Sequence, residues 1–125
     1  MIHLDANYLI RANQAGSKEA ADVQRWLEQN EALATSAIAW MEFVTGPVPP
    51  EIVDAIRRAI GDRIIAFAQE ESELAAELYN IAGRKRGLRY DCMIAAVALN
   101  AGARLATRNT QDFQFFLPHG LKLAT

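Results

Sequence analysis

Four acidic side chains stand where an ordinary folded chain has little use for them: Asp5, Glu42, Asp91 and Asp112. Asp5 ends the apolar, strand-like run that opens the sequence. Glu42 is the single charge in the apolar stretch Ala37–Val44, Asp91 opens the apolar run 92–100, and Asp112 lies just past Leu105–Thr107. A carboxylate among apolar residues is costly to bury unless something cationic meets it, and a buried glutamate without a partner is rare. Brought together, four carboxylates repel one another and hold protons at raised pKa values. A divalent ion removes that difficulty, since Mg²⁺ and Mn²⁺ are hard cations that take oxygen ligands. Such an ion lowers the pKa of bound water and neutralises charge on a phosphoryl oxygen. The chemistry implied is metal-assisted hydrolysis of a phosphate ester. Each acid also has a local use: Asp5 and Asp91 as helix N-caps, Asp112 organising its own turn with Asn109.

The elements that must bring these acids together are read from pattern and punctuation. A strand through Leu4 feeds a short helix over 6–13, ended by Gly16, and Ser17 caps a helix to about Asn30. In that helix Ala21, Val23, Trp26 and Leu27 line one face, with Lys18, Glu19, Asp22, Arg25 and Glu28 on the others. A weak strand over Ala32–Thr35 follows, then a Ser36-capped helix, apolar nearly all round and expected to be buried. Past the Pro-rich break 46–50 come a helix from Glu51 to about Ile60 and a strand over Arg63–Phe67. The spacing predicts a long helix from Glu70 to Arg86, acidic in its first turn and basic in its last. A helix over Cys92–Asn100, a strand over Ala103–Thr107, a loop or turn over Arg108–Phe113 and a last strand over Leu121–Ala124 complete the chain. Strands alternating with helices, without hairpin signals, give an α/β fold. The expectation is a three-layer α/β/α arrangement around a short, mostly parallel sheet. Its carboxyl edge would gather Asp5, Asp91 and Asp112, with Glu42 projecting in from its helix.

Composition narrows the field. A chain of 125 residues, 51% hydrophobic and 22% charged, is globular and suits one domain over residues 1–125. No apolar run approaches the ~20 residues of a membrane span, and no basic-then-apolar leader precedes the first strand, so a cytoplasmic location is expected. The lone Cys92 excludes an internal disulfide and a Cys-rich zinc site, and His3 and His119 are too few for a His-based one. Any metal is therefore held by oxygen. Neither a Gly-x-Gly-x-x-Gly nor a Walker-type loop occurs. The net charge of −2 hides a cluster: Arg84, Lys85, Arg86, Arg89, Arg104 and Arg108 stand against Asp91 alone over 84–108, a local +5 on a remainder of −7. This is a phosphate-facing patch or a solvated face.

At these residues the chain resembles the PIN domain, a fold of metal-dependent ribonucleases, and within it the endoribonuclease toxins of VapC-type toxin–antitoxin pairs. Leu4-Asp5-Ala6-Asn7 is similar to the family's opening Asp motif, and Met41-Glu42-Phe43 to the Glu of its second motif. Tyr90-Asp91-Cys92-Met93-Ile94-Ala95-Ala96 resembles its Asp-x-x-Ile-Ala-Ala helix start, and Thr107-Arg108-Asn109-Thr110-Gln111-Asp112-Phe113 its Thr-x-Asn-x-x-Asp-Phe turn. Two positions depart from the pattern: Ala6 stands where a hydroxyl residue is frequent, and Cys92 replaces a usual alanine. The resemblance implies Mg²⁺ or Mn²⁺ dependence, RNA as substrate, a homodimer, and an antitoxin partner that occludes the site.

On this reading Asp5, Glu42, Asp91 and Asp112 are the catalytic and metal-binding groups, with metal-activated water attacking the phosphodiester. Asn7, Thr107 and Asn109 hold carboxylates or water in place, and Arg86, Arg89 and Arg108 hold backbone phosphates. Two rivals remain. A catalytically silent PIN-like module would use the acids to bind a protein. An Asp-based phosphatase or phosphoryl-transfer domain also places Asp at a strand end, but wants a second acid two residues on, where this chain has Asn7.

Overall fold

The structure, a computed structural model, describes residues 1–124. Five short strands form one parallel sheet: β1 (Ile2–Leu4), β2 (Leu33–Ser36), β3 (Ile64–Ile65), β4 (Arg104–Ala106) and β5 (Lys122–Leu123), in the order β3-β2-β1-β4-β5. Side chains alternate between the two faces of a strand, and Ile2, His3 and Leu4 are all buried, so both faces of β1 are covered. The helices that cover them are α1 (Ala6–Arg11), α2 (Lys18–Glu28), α3 (Ala37–Thr45), α4 (Pro50–Ala59), α5 (Gln69–Ile81), α6 (Arg89–Asn100) and the short α7 (Thr110–Phe113). The expected α/β/α layering is what the chain adopts, with every strand pair parallel. Leu9, Leu33, Phe43, Leu78, Ile94, Leu105, Phe113 and Phe116 meet in the core, each no more than 2% exposed. Among the described residues no helix is long and apolar enough to cross a membrane.

The strand order reverses direction at β1, which pairs with β2 on one side and β4 on the other. In open parallel sheets that reversal opens a crevice outside the carboxyl ends of the strands. Asp5 follows β1 and Thr107 follows β4, so both stand at its mouth. α6 delivers the chain to the amino end of β4, where the Arg104 N–H donates to the Met1 carbonyl at 3.1 Å. Its first turn, which carries Asp91, is therefore at the opposite, carboxyl edge.

Several boundaries differ from the sequence reading. The helix expected to reach Arg86 stops at Ile81, because Gly83 and Arg84 are both left-handed (φ 76° and 58°), so its last turn holds no basic residue. The cations of 84–86 lie instead in a linker that ends in a 3₁₀ turn, Arg86–Leu88. α3 is not buried all round: Ala39 and Phe43 face the core, while Met41 and Val44 are more than 40% exposed. The inner face of α2 differs as well. Glu19 and Asp22 are buried beside Val23 and Trp26, and Leu27 is exposed.

Candidate active site

Asp5 is 4% exposed and meets three donors. Its Oδ1 accepts from the Ala6 N–H at 2.8 Å, and its Oδ2 accepts from the Thr107 hydroxyl at 2.7 Å and from the Asn7 amide at 3.4 Å. The cap and the site residue are thus one carboxylate: Oδ1 caps α1 while Oδ2 spans the crevice between β1 and β4. The Asn109 backbone N–H donates to the Thr107 hydroxyl oxygen at 3.1 Å, and that hydroxyl donates to Asp5. The Arg108 N–H donates to Asn7 Oδ1 at 3.2 Å. A lattice of side-chain and backbone donors therefore fixes Asp5 from both sides, with Asn109 contributing through its backbone.

Glu42 is half-buried in the second half of α3, next to the core residue Phe43. Asp91 is half-buried in the first turn of α6, but the N-cap position belongs to Leu88, and no side chain there bonds the free N–H groups. The cap reading of Asp91 accordingly has no hydrogen bond behind it. Asp112 is exposed on α7, a helical turn where a loop or turn was expected, and its N–H donates to the Asn109 carbonyl at 3.0 Å.

Electrostatics tie the four together. Burial pushes the Asp91 carboxyl up to about 7, and the charges of Asp5, Asp112 and Glu42 push in the same direction. Glu42 is raised by burial and then by the charge of Asp5. Asp5 is raised by burial, against the opposing pull of Thr107, Ala6 and Asn7. Acids that follow β1 or lie on α3, α6 and α7 thus share one field, although no two are close in sequence. Among the described residues, no three acid, histidine or cysteine side chains close up tightly enough to hold an ion as they lie. The donor set nonetheless fits a hard cation: carboxylate oxygens, without a thiolate or imidazole among these four residues. The nearby Cys92 is 1% exposed with its thiol pushed up to about 11 by burial and then by Asp91, a packed and unreactive group.

The three arginines singled out from sequence have different fates. Arg89 lies over the Tyr79 ring, 5.5 Å from its centre, and Arg86 is exposed in the 3₁₀ turn. Arg108 pairs through Nε with Glu19 at 3.0 Å. Glu19 itself was missed by the sequence reading. So was Asp22, which accepts from the Tyr8 hydroxyl at 2.8 Å and pairs with Lys18 at 2.8 Å and Arg25 at 3.1 Å. A helix-surface pattern of acids and bases looks alike whether it faces solvent or a neighbouring helix. The available signal was Tyr8, a polar tip on an otherwise apolar face of α1.

The PIN domain family matches residues 2–114 of the chain. The chain belongs to the PIN domain family. No curated protein matches the sequence. Solved structures do. The crystal structure of FitAcB from Neisseria gonorrhoeae is similar with a TM-score of 0.73 at 24% identity, covering 99% of this chain and 97% of that one. A toxin–antitoxin complex from Klebsiella pneumoniae is similar with a TM-score of 0.69 at 28% identity, covering 91% of both chains. VapBC2 from Rickettsia felis, bound to a DNA fragment from its promoter, gives a TM-score of 0.68 at 23% identity, over 99% of this chain and 98% of that one. In this PIN domain the crevice at the strand reversal, the lattice on Asp5 and the shared field of four acids occupy one edge of the sheet.

Proposed function

We propose that this PIN domain is a metal-dependent endoribonuclease, the toxin of a toxin–antitoxin pair, acting in the cytoplasm as a single domain over residues 1–125. The observation that carries the reading is the Asp91 carboxyl, pushed up to about 7 by burial and by three other acids at the carboxyl edge of the sheet. Such a group favours a cation beside it. Asp5, Glu42, Asp91 and Asp112 would hold Mg²⁺ or Mn²⁺. When bound, the ion supplies charge neutralisation at the phosphate and a lowered pKa for water.

The protein's own residues do the rest. Thr107 and Asn7 keep Asp5 in one orientation, and Asn109 keeps Thr107 turned toward it. Arg86, Arg89 and Arg108 bring positive charge to an edge that would otherwise repel a polyanion. A similar structure, from Klebsiella pneumoniae, is described as a toxin–antitoxin complex, which supports an antitoxin as partner. Exposed Ile10 on α1 and exposed Met41 and Val44 on α3, two helices packed together, give a protein partner apolar surface. A homodimer is part of the same proposal and is tested by light scattering of the purified chain.

The experiment is cleavage of single-stranded RNA by antitoxin-free protein. Fragments should appear with Mg²⁺ or Mn²⁺ and cease when the ion is chelated or when Asp5→Asn is used. Undiminished cleavage in chelator would end the metal mechanism. Absence of cleavage together with no Mg²⁺ or Mn²⁺ binding would favour the silent module, whose acids serve a protein partner.

A further inference from the structure

We propose that the cleft between α1, the start of α2 and the residues after β4 is a phosphate subsite, in which Arg11 and Arg108, both held by the buried Glu19, take a second backbone phosphate of the substrate strand. The proposal rests on the ribonuclease reading above. The cleft has a volume of about 490 Å³, and its walls include Arg11, Lys18, Glu19, Thr107, Arg108 and Thr110. Thr107 is shared with the acid site, since its hydroxyl donates to Asp5 Oδ2 at 2.7 Å, so the cleft adjoins the proposed point of cleavage.

Glu19 is 5% exposed, and each of its oxygens faces a different guanidinium: Oε2 lies 3.4 Å from Arg11 Nε, and Oε1 lies 3.0 Å from Arg108 Nε. Burial raises its pKa, but the backbone and the two arginines outweigh that and hold the carboxyl below its usual range. It is therefore a fixed anion. One carboxylate between two guanidiniums leaves an excess positive charge, which a purely structural pair would not need. Both arginines approach Glu19 through Nε, and a guanidinium paired through Nε still carries terminal nitrogens of the kind that fork around a phosphate. The Arg11 Nε is itself buried without a well-aligned acceptor. Lys18 stands at the rim with its side chain 75% exposed, paired with Asp22 at 2.8 Å.

The chemistry next door explains why such a subsite would be there. Four carboxylates repel a polyanion as strongly as they attract a metal, so a strand crossing them needs positive charge beside the cluster. Arg108 serves both sides. Its guanidinium faces Glu19 while its backbone N–H holds Asn7, which donates to Asp5 Oδ2. Arg89 rests instead on the Tyr79 ring.

The test compares kcat/KM, with Mn²⁺ present, for a dinucleotide carrying one phosphodiester and for a hexanucleotide. Wild type should favour the hexanucleotide. In Arg11→Gln that preference should fall about tenfold, the scale of one charge-assisted contact, through KM rather than kcat. The slope of log KM against log salt for the hexanucleotide should flatten by ~1. Glu19→Gln should reproduce the change by releasing both arginines, and a thermal melt of each variant confirms that it is folded. Should Glu19→Gln fail to fold, Arg11→Gln decides alone, because its side chain is more than a third exposed. If wild type cleaves and Arg11→Gln keeps the full preference and salt slope, the subsite is overturned and the nuclease reading stands. If wild type cleaves neither substrate, both are overturned.

Discussion

Replacing Asp91 with Asn separates a metal-binding acid from a helix-terminal one. The folded-state carboxyl titrates at about 7 instead of 3.8, higher by about 3 pH units. At about 1.4 kcal/mol per unit, the ionised form destabilises the metal-free protein by at most about 4 kcal/mol. Asp91 is half-buried, so solvent screens part of this, and about 2 kcal/mol is the working figure. The sign follows from proton counts. Below about pH 4 both states hold the proton, and Asp and Asn behave alike. Between about 4 and 7 the native state keeps a proton that the unfolded state has lost, so stability falls as pH rises. Above about 7 the full penalty is present. The amide of the variant cannot ionise, so in chelator at pH 8 the Asp91→Asn protein should melt higher by about 8 °C, with the gain fading toward pH 4. Added Mg²⁺ should narrow or reverse that order. Wild type gains about 2.7 kcal/mol at a hundredfold excess over Kd, and the variant gains less. The assay is a thermal melt of both proteins, with and without Mg²⁺, at pH 5 and pH 8. A variant that melts at or below wild type in chelator, or that keeps the full Mg²⁺ shift, would refute the reasoning.

Two further outcomes concern buried groups outside the acid site. Asp22→Ala leaves the Tyr8 hydroxyl without its acceptor and should destabilise by about 2–3 kcal/mol, whereas Asp22→Asn keeps an acceptor and should lose about 1 kcal/mol; urea unfolding measures both, and equal losses would show that the charge, not the hydroxyl, matters. His3 is 1% exposed, neither ring nitrogen has a hydrogen-bond partner among the described residues, and burial, then the Met1 ammonium, lowers its pKa to about 4. Its neutral form is the folded one, so stability is intact above about pH 6.5 and falls by about 3 kcal/mol as pH drops to about 4. His3→Leu should remove that acid-dependent loss, and an unchanged slope of unfolding free energy between pH 6.5 and 4 would contradict it.

The order of elements was legible because each rests on a local signal. Ser17 and Ser36 cap their helices as their positions suggest, each oxygen accepting from the N–H three residues on at 3.0 Å. Asp5 could be read because a strand running straight into a helix leaves little else for the intervening residue to do. The end of α5 was not legible. Arg84 and Lys85 look like the basic last turn that a helix dipole favours, and only the left-handed Gly83 and Arg84 show that the chain has already turned. Burial of Glu19 and Asp22 was equally hidden, since it depends on Arg11, Arg108 and Tyr8 arriving from α1 and from beyond β4. The exposure of Met41 and Val44 shows the converse: an apolar helix need not be buried on every face.

The central claim is that Asp5, Glu42, Asp91 and Asp112 together hold a divalent ion. Titration of Mn²⁺ into the purified protein, followed by electron paramagnetic resonance of the free ion, measures this without any assumption about substrate. Wild type should bind Mn²⁺ in stoichiometric amount, and Asp5→Asn and Asp91→Asn should each weaken binding by about tenfold or more, the scale of one lost carboxylate contact, while remaining folded. Wild type that leaves the Mn²⁺ signal unchanged, or binding that survives both substitutions at full strength, would contradict it.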